Sequence, residues 1–364
     1  MNTSALFRPF SHGSLQLPNR IVMAPMTRRS SPGGIPNEAV ADYYRRRAEG
    51  GVGLIISEGA TIGSPAASNN TSIPNFHAAE SLAGWARVLA AVHAAGARMA
   101  PQLWHQGLSR AEETGPCPNA PSEGPSPIDG RGHAMSDTDI ASVIDAYASA
   151  AEAAQWLGFD AVELHAAHGY LIDQFLWGQT NQRSDRYGGD AVERTRFAVE
   201  IIQAVRRAVG PRFPVIFRFS QWKTQDYTAR LAETPGELER ILTPLADAGV
   251  DIFHASTRRF WQPEFEGSRL TLAGWSRKLT GCPTIGVGSV GLAGPDFMEA
   301  LTGHSSAAGV GSIDELLERM AADEFDLVAV GRALISNPDW PSKVHEARFA
   351  ELKSFDKAQL ATLA

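Results

Sequence analysis

Apolar residues in this chain gather in short unbroken runs, such as Leu54-Ile55-Ile56 and Val215-Ile216-Phe217, separated by longer amphipathic stretches. A run without polar alternation fits a strand buried on both faces, because each face must meet an apolar layer. Eight such strands are read near Arg20–Pro25, Gly53–Ser57, Met99–Leu103, Ala161–Leu164, Pro214–Phe219, Ile252–Ala255, Thr284–Val287 and Leu327–Val330. Helical periodicity covers Glu80–Ala95, Ser136–Leu157, Ala191–Val209, Pro235–Ala248 and Ile313–Asp323. Ser136 followed by Asp139, and Thr234-Pro235 followed by Glu237, mark helix starts. Strands that alternate with helices predict an α/β fold. Eight of them favour one (β/α)8 TIM barrel spanning 1–364 over two doubly wound domains. The run Leu6–Leu17 alternates around Gly13 and reads as an N-terminal hairpin closing the barrel floor.

Two segments break the rhythm. Gly107–Met135 holds five prolines and several glycines, and is expected to form a Pro-rich lid excursion after strand three. Gly291–Gly311 is a second insertion, rich in Gly, Ala and Ser, to which the sequence assigns no chemistry.

Composition narrows the function. The formal net charge of −7 and the lack of a basic stripe argue against nucleic-acid or membrane-surface partners. Cys117 and Cys282 are the only cysteines and lie far apart, which excludes an iron–sulfur cluster or a multi-cysteine zinc site and fits a reducing compartment. Met1 to Ser14 shows no signal-peptide h-region, and no apolar stretch approaches a membrane span, so the cytoplasm is the expected location.

Catalytic side chains of such barrels gather at the C-terminal ends of strands. Strand four delivers His165, His168 and Tyr170 within six residues, two imidazoles and a phenol that can polarise a substrate oxygen and deliver a proton. Strand one ends in Ala24-Pro25-Met26-Thr27, strand two in Ser57-Glu58-Gly59, and strand three in Gln102-Leu103-Trp104-His105. Strand five carries Arg218; the sixth offers no candidate at its end. Gly288-Ser289 and Gly331-Arg332, after strands seven and eight, are the candidate phosphate cradle, with glycine backbone open to an anion and a guanidinium to pair with it. The run Gly286-Val287-Gly288-Ser289-Val290-Gly291 also matches G-x-G-x-x-G, but Gly294-Pro295 follows too soon for the helix a dinucleotide fingerprint needs. Other readings stay open: a histidine pair as metal ligands in a hydrolase or lyase, or a non-redox phosphate-ester barrel. Trp104 could equally be a core residue, and Tyr170 taken alone would more often be one, although its place beside two histidines favours an acid.

The same residues carry a family resemblance along nearly the whole chain. The motifs are Asn19–Arg28, Gly53–Gly59, Gln102-Leu103-Trp104-His105, Gly158–Phe175 with its His-x-x-His-Gly-Tyr, Asn181–Gly189, and Val330-Gly331-Arg332-Ala333-Leu334. Together they resemble the Old Yellow Enzyme family of FMN-dependent ene-reductases. The resemblance implies FMN across the barrel mouth and NADPH or NADH as reductant. The substrate it implies is a small-molecule activated alkene, an α,β-unsaturated carbonyl or nitro compound. Pro25, Met26 and Gly59 match residues lining the flavin ring, Thr27 the one bonding its O4 edge, Gln102 the amide on its pyrimidine edge and Arg218 the cation near N1 and O2. His165 and His168 match the pair holding the substrate oxygen, Tyr170 the proton donor, and Trp104 a residue shaping the pocket. The loop Ser256-Thr257-Arg258-Arg259-Phe260-Trp261 lies where selectivity is usually set, making Phe260 and Trp261 candidate substrate contacts. No metal is expected, and the protein is expected to be a monomer or homodimer. The family's usual Ser-x-Glu-Asn-Arg reads Asp190-Ala191-Val192-Glu193-Arg194 here, a departure peripheral to the site.

Overall fold

The computed structural model describes residues 2–294 and 307–363. Eight strands close into a barrel: β1 (Ile21–Met23), β2 (Leu54–Thr61), β3 (Arg98–Trp104), β4 (Val162–His168), β5 (Val215–Lys223), β6 (Ile252–Ser256), β7 (Thr284–Val287) and β8 (Leu327–Val330). Each pairs in parallel with the next, and β8 pairs with β1. Helices cross between them, among them α1 (Glu38–Glu49), α2 (Ala79–Ala94), α3 (Asp137–Leu157), α4 (Leu171–Leu176), α5 (Arg196–Val209), α6 (Pro235–Ala248), α7 (Leu272–Thr280) and α8 (Asp314–Ala321).

All eight expected strands are present, but four run on beyond their apolar cores. The extensions of β2 and β3 pair with each other, Gly59 with Gln102 and Thr61 with Trp104, and His168 on β4 pairs with Lys223 on β5. The sequence reading passed over α1 and α7. Asn37 caps α1 by accepting from the Val40 amide, and Thr271 caps α7 by accepting from Gly274. The apolar face of α1 is hidden behind three successive arginines, of which Arg47 turns inward and is buried.

The barrel interior is layered, because inward positions recur at every second residue. At the bottom Val22, Leu54, Ile56, Ala100, Ala161, Ile216, Ile252, Ile285 and Leu327 form one apolar cluster with Phe10, Leu15 and Leu17. The last three come from the antiparallel hairpin Phe10–His12/Leu15–Leu17, so the expected hairpin does plug the floor. Two residues further along the same strands the inward positions become Gln102, Glu163, Arg218 and His254, all buried. Two more bring Trp104, His165, Ser220 and Ser256. The barrel is greasy below and polar above.

Segment 107–135 is ordered. Buried Arg110 draws it together, donating to the carbonyls of Ser68, Thr114, Cys117 and Ala120 at 2.7–3.1 Å. It is tied to the residues after β4 through Leu108 N–H to Gln174, Gln182 N–H to Ser126, and Arg183 to the carbonyls of Pro125 and Met135. Of the second insertion, 295–306 lie outside the described residues. Its flanks Leu292–Ala293 and Ala307–Val310 pair antiparallel, and the latter pairs with Phe355–Asp356.

Candidate active site

The end of β4 is bent to present its side chains. Its register against β5 shifts between Ala166 and His168, and His168 sits at φ +67° followed by Gly169 at φ +80°. A left-handed histidine is costly and persists only where its surroundings enforce it. Here the enforcement is visible. His168 N–H donates to Ser220 Oγ, Thr224 Oγ1 donates to the His168 carbonyl, and Gly169 N–H donates to Asp173 Oδ2 at 2.7 Å. Gly169 suits glycine because its φ of +80° lies in the left-handed region that side chains rarely adopt.

Asp173 is in turn paired with Lys223 at 2.6 Å, both side chains fully buried. Lys223 also donates to the Ser220 carbonyl. Burial pushes the Asp173 carboxyl up and the Lys223 ammonium down, each opposed by its partner. This pair ties α4 to β5 directly beneath the His168–Tyr170 turn.

Four rings then converge. Trp104, His165, His168 and Tyr170 have centroids 4.9–6.5 Å apart, with Tyr170 edge-on to both Trp104 and His165. The sequence-predicted catalytic residues are therefore brought together. Gly59 must be glycine, because a Cβ would strike the Trp104 ring at 2.5 Å. A fifth ring had no sequence signal of its own: Trp222 stacks on His168 at 4.4 Å and 27°. Phe260 and Trp261 pack edge to face on each other instead, Phe260 buried with its amide on the Gly288 carbonyl, and neither ring joins the cluster among the described residues.

The electrostatics suit neutral imidazoles over a fixed cation. Burial first, then Arg218 and His254, holds His165 well below the usual histidine range. Burial and Arg218 do the same for His168. Burial raises the Tyr170 phenol, so it keeps its proton at neutral pH. Beneath them Gln102 Nε2 donates to Glu163 Oε1 at 2.8 Å, and Glu163 Oε2 meets His254 Nδ1 at 2.6 Å. Neither Glu163 nor His254 was singled out from the sequence, although a charged or titratable residue inside an otherwise apolar strand was a readable signal. At the end of β6, Ser256 Oγ lies 2.8 Å from His168 Nε2 and 3.3 Å from Arg218 Nη2, so the sixth strand does supply a polar group.

On the opposite side of the mouth β7 and β8 are joined by Arg332, whose Nη2 donates to Ser289 Oγ at 3.3 Å. Ser289 Oγ also donates to the Arg258 carbonyl, and a Cβ on Gly288 would lie 2.7 Å from the Thr257 carbonyl oxygen. Pro25, Met26 and Thr27 follow β1, with Thr27 exposed. Among the described residues no three His, Cys, Asp or Glu side chains are grouped to hold a metal ion, and no helix is long and apolar enough to cross a membrane.

A sequence model of the NADH:flavin oxidoreductase / NADH oxidase family matches residues 5–299. The chain belongs to that family. This is the Old Yellow Enzyme family of the motif reading, whose cofactor is FMN, with NADH or NADPH as reductant. A structure of morphinone reductase in complex with tetrahydroNAD superposes with a TM-score of 0.80 at 30% identity, covering 98% of this chain and 93% of that one. Chanoclavine-I aldehyde reductase from Penicillium roqueforti is 34% identical over 93% of this chain and 88% of its own length. An NADH oxidase from Thermoanaerobacter brockii is 35% identical over 96% of this chain, which spans only 52% of that relative.

The residues present fit an FMN of this Old Yellow Enzyme family. Buried Arg218 keeps Nε without a hydrogen-bond partner, a cation available to an electron-rich ring edge. Gln102 commits Nε2 to Glu163 while its Oε1 accepts from no described residue, so an acceptor remains for an imide N–H. Gly331 leaves space, since a Cβ would meet nothing nearer than Met26 Sδ at 3.6 Å.

Proposed function

We propose that this protein reduces the activated C=C bond of α,β-unsaturated carbonyl or nitro compounds. Bound FMN supplies the hydride, replenished by NADPH or NADH. Pro25, Met26, Thr27, Gly59, Gln102 and Arg218 would hold the ring, and Gly288, Ser289, Gly331 and Arg332 the phosphate. His165 and His168 donate to the carbonyl or nitro oxygen on which negative charge grows. A preorganised donor of this kind contributes about 3–4 kcal/mol of transition-state stabilisation. Tyr170 delivers the proton to the α-carbon, and Trp104 and Trp222 wall the pocket.

The observation that carries this reading is the convergence of His165, His168 and Tyr170 with ring centroids 5.0–6.5 Å apart above buried Arg218. Neutral N–H donors beside a cation favour a phenolate as substrate mimic, since they lower an acid's pKa. Titrating the flavin-loaded protein with a para-substituted phenol should raise a broad long-wavelength charge-transfer band, and His165→Ala should remove most of it. Phenol that inhibits turnover without changing the spectrum would show that the oxygen site does not lie over the flavin.

A further inference from the structure

Two imidazoles can hold one substrate oxygen only if each turns an N–H toward it, and a neutral ring has a single N–H to offer. For His165 the choice is settled locally. The Ala167 amide donates to its Nδ1 at 3.4 Å, so the proton sits on Nε2, which no described residue engages.

For His168 the deciding group lies 88 residues away on β6. From the contacts around Ser256 we infer that this serine is a positioning residue. Its hydroxyl donates to His168 Nε2, which places the proton on Nδ1 and makes Nδ1–H the donor that meets the substrate oxygen. The inference rests on the reading of the histidine pair given above and adds what makes His168 competent in it.

Ser256 is buried, and its Oγ has two partners among the described residues. One is Arg218 Nη2 at 3.3 Å, which can only donate and so occupies a serine lone pair. The hydroxyl hydrogen is left with one acceptor within reach, His168 Nε2 at 2.8 Å. The opposite arrangement would bury that hydrogen without an acceptor and turn the Nδ1 lone pair toward the substrate's own lone pairs. The ring plane is fixed as well. Trp222 stacks on it at 4.4 Å while donating Nε1–H to the Ser256 carbonyl at 3.1 Å. His168 Nδ1 has no partner among the described residues. The two rings, at 86° to each other, thus present unlike nitrogens: Nε2–H of His165 and Nδ1–H of His168.

Long-range proton–nitrogen spectra of flavin-loaded protein carrying 15N-histidine read the tautomer directly, with His168 assigned by its loss in His168→Gln. We expect a protonated Nδ1 and a bare Nε2; the reverse pattern overturns the inference. In parallel, Ser256→Ala, which leaves His168 its N–H but removes the bond that fixes it on Nδ1, should weaken binding of a para-substituted phenol by about two- to tenfold, the worth of one neutral hydrogen bond. Ser256→Thr, which keeps the hydroxyl, should restore both affinity and tautomer. If His168→Ala, which leaves no N–H donor at this position, binds the phenol as tightly as the parent, the functional reading itself fails. If His168→Ala loses affinity and Ser256→Ala does not, only the role of Ser256 fails. Should Ser256→Ala not fold, the parent spectrum decides alone.

Discussion

Replacing Lys223 by methionine keeps the length of the side chain and removes its charge, leaving Asp173 buried with the Gly169 amide as its remaining partner. Removing one member of a buried ion pair costs about 3–5 kcal/mol. Protonation sets a ceiling on that figure. Neutralising a carboxyl of ordinary pKa at pH 7 takes about three pH units, or roughly 4 kcal/mol, and at pH 5 about one unit, or roughly 1.5 kcal/mol. Burial already raises the Asp173 carboxyl and Lys223 is the main opposing influence, so the variant raises it further. A carboxyl raised in the folded state binds its proton more readily there than in the unfolded chain, so the penalty grows as pH rises. The loss should therefore be about 3–4 kcal/mol at pH 7 and about 1.5 kcal/mol at pH 5. Adding Asp173→Asn, whose carbonyl can still accept from Gly169, should recover most of it. Urea denaturation of both variants at the two pH values is the assay. A loss independent of pH, or a double variant no more stable than the single one, would refute the reasoning.

Tyr170→Phe should leave reduction by NADPH or NADH nearly untouched and slow the reduction of enones, while nitroalkenes, whose nitronate product can leave before protonation, suffer much less; equal losses in stopped-flow traces would remove Tyr170 as the acid. Glu58 is buried beneath the amides of Arg28 and Arg29, and burial lifts its carboxyl to about 7. Stability from this group falls as pH rises from about 4.5 to 7, by roughly 3 kcal/mol in all, so Glu58→Gln should gain on the parent across that window and nowhere else. A stability difference that does not vary with pH would contradict the assignment.

The parts of this molecule that were legible in the sequence are those where the signal is local. Leu54-Ile55-Ile56 and its counterparts announced strands because both faces of a barrel strand are apolar near the floor. His165, His168 and Tyr170 could be seen together because they share one bulged strand end. The upper barrel was harder, since its inward positions are Gln102, Glu163, Arg218 and His254, and polar residues do not announce a strand's continuation. Contacts made across the barrel left no local mark. Ser256 is an unremarkable serine until the fold brings it to His168, and Lys223 and Asp173, 50 residues apart, look like surface charges until both prove fully buried. The aromatic placed on His168 is Trp222 from the polar extension of β5, whereas Phe260 and Trp261, singled out from the sixth-strand loop, pack on each other.

The most direct test of the whole account is to purify the protein, remove oxygen, reduce its flavin with NADPH or NADH, and add a panel of enones, maleimides and nitroalkenes while following the flavin absorbance. The protein should be yellow, release FMN on denaturation, bleach with the nicotinamide and be reoxidised by at least one activated alkene, whose C=C bond is saturated. A colourless protein with bound metal, or a reduced flavin that none of these alkenes reoxidises, would contradict it.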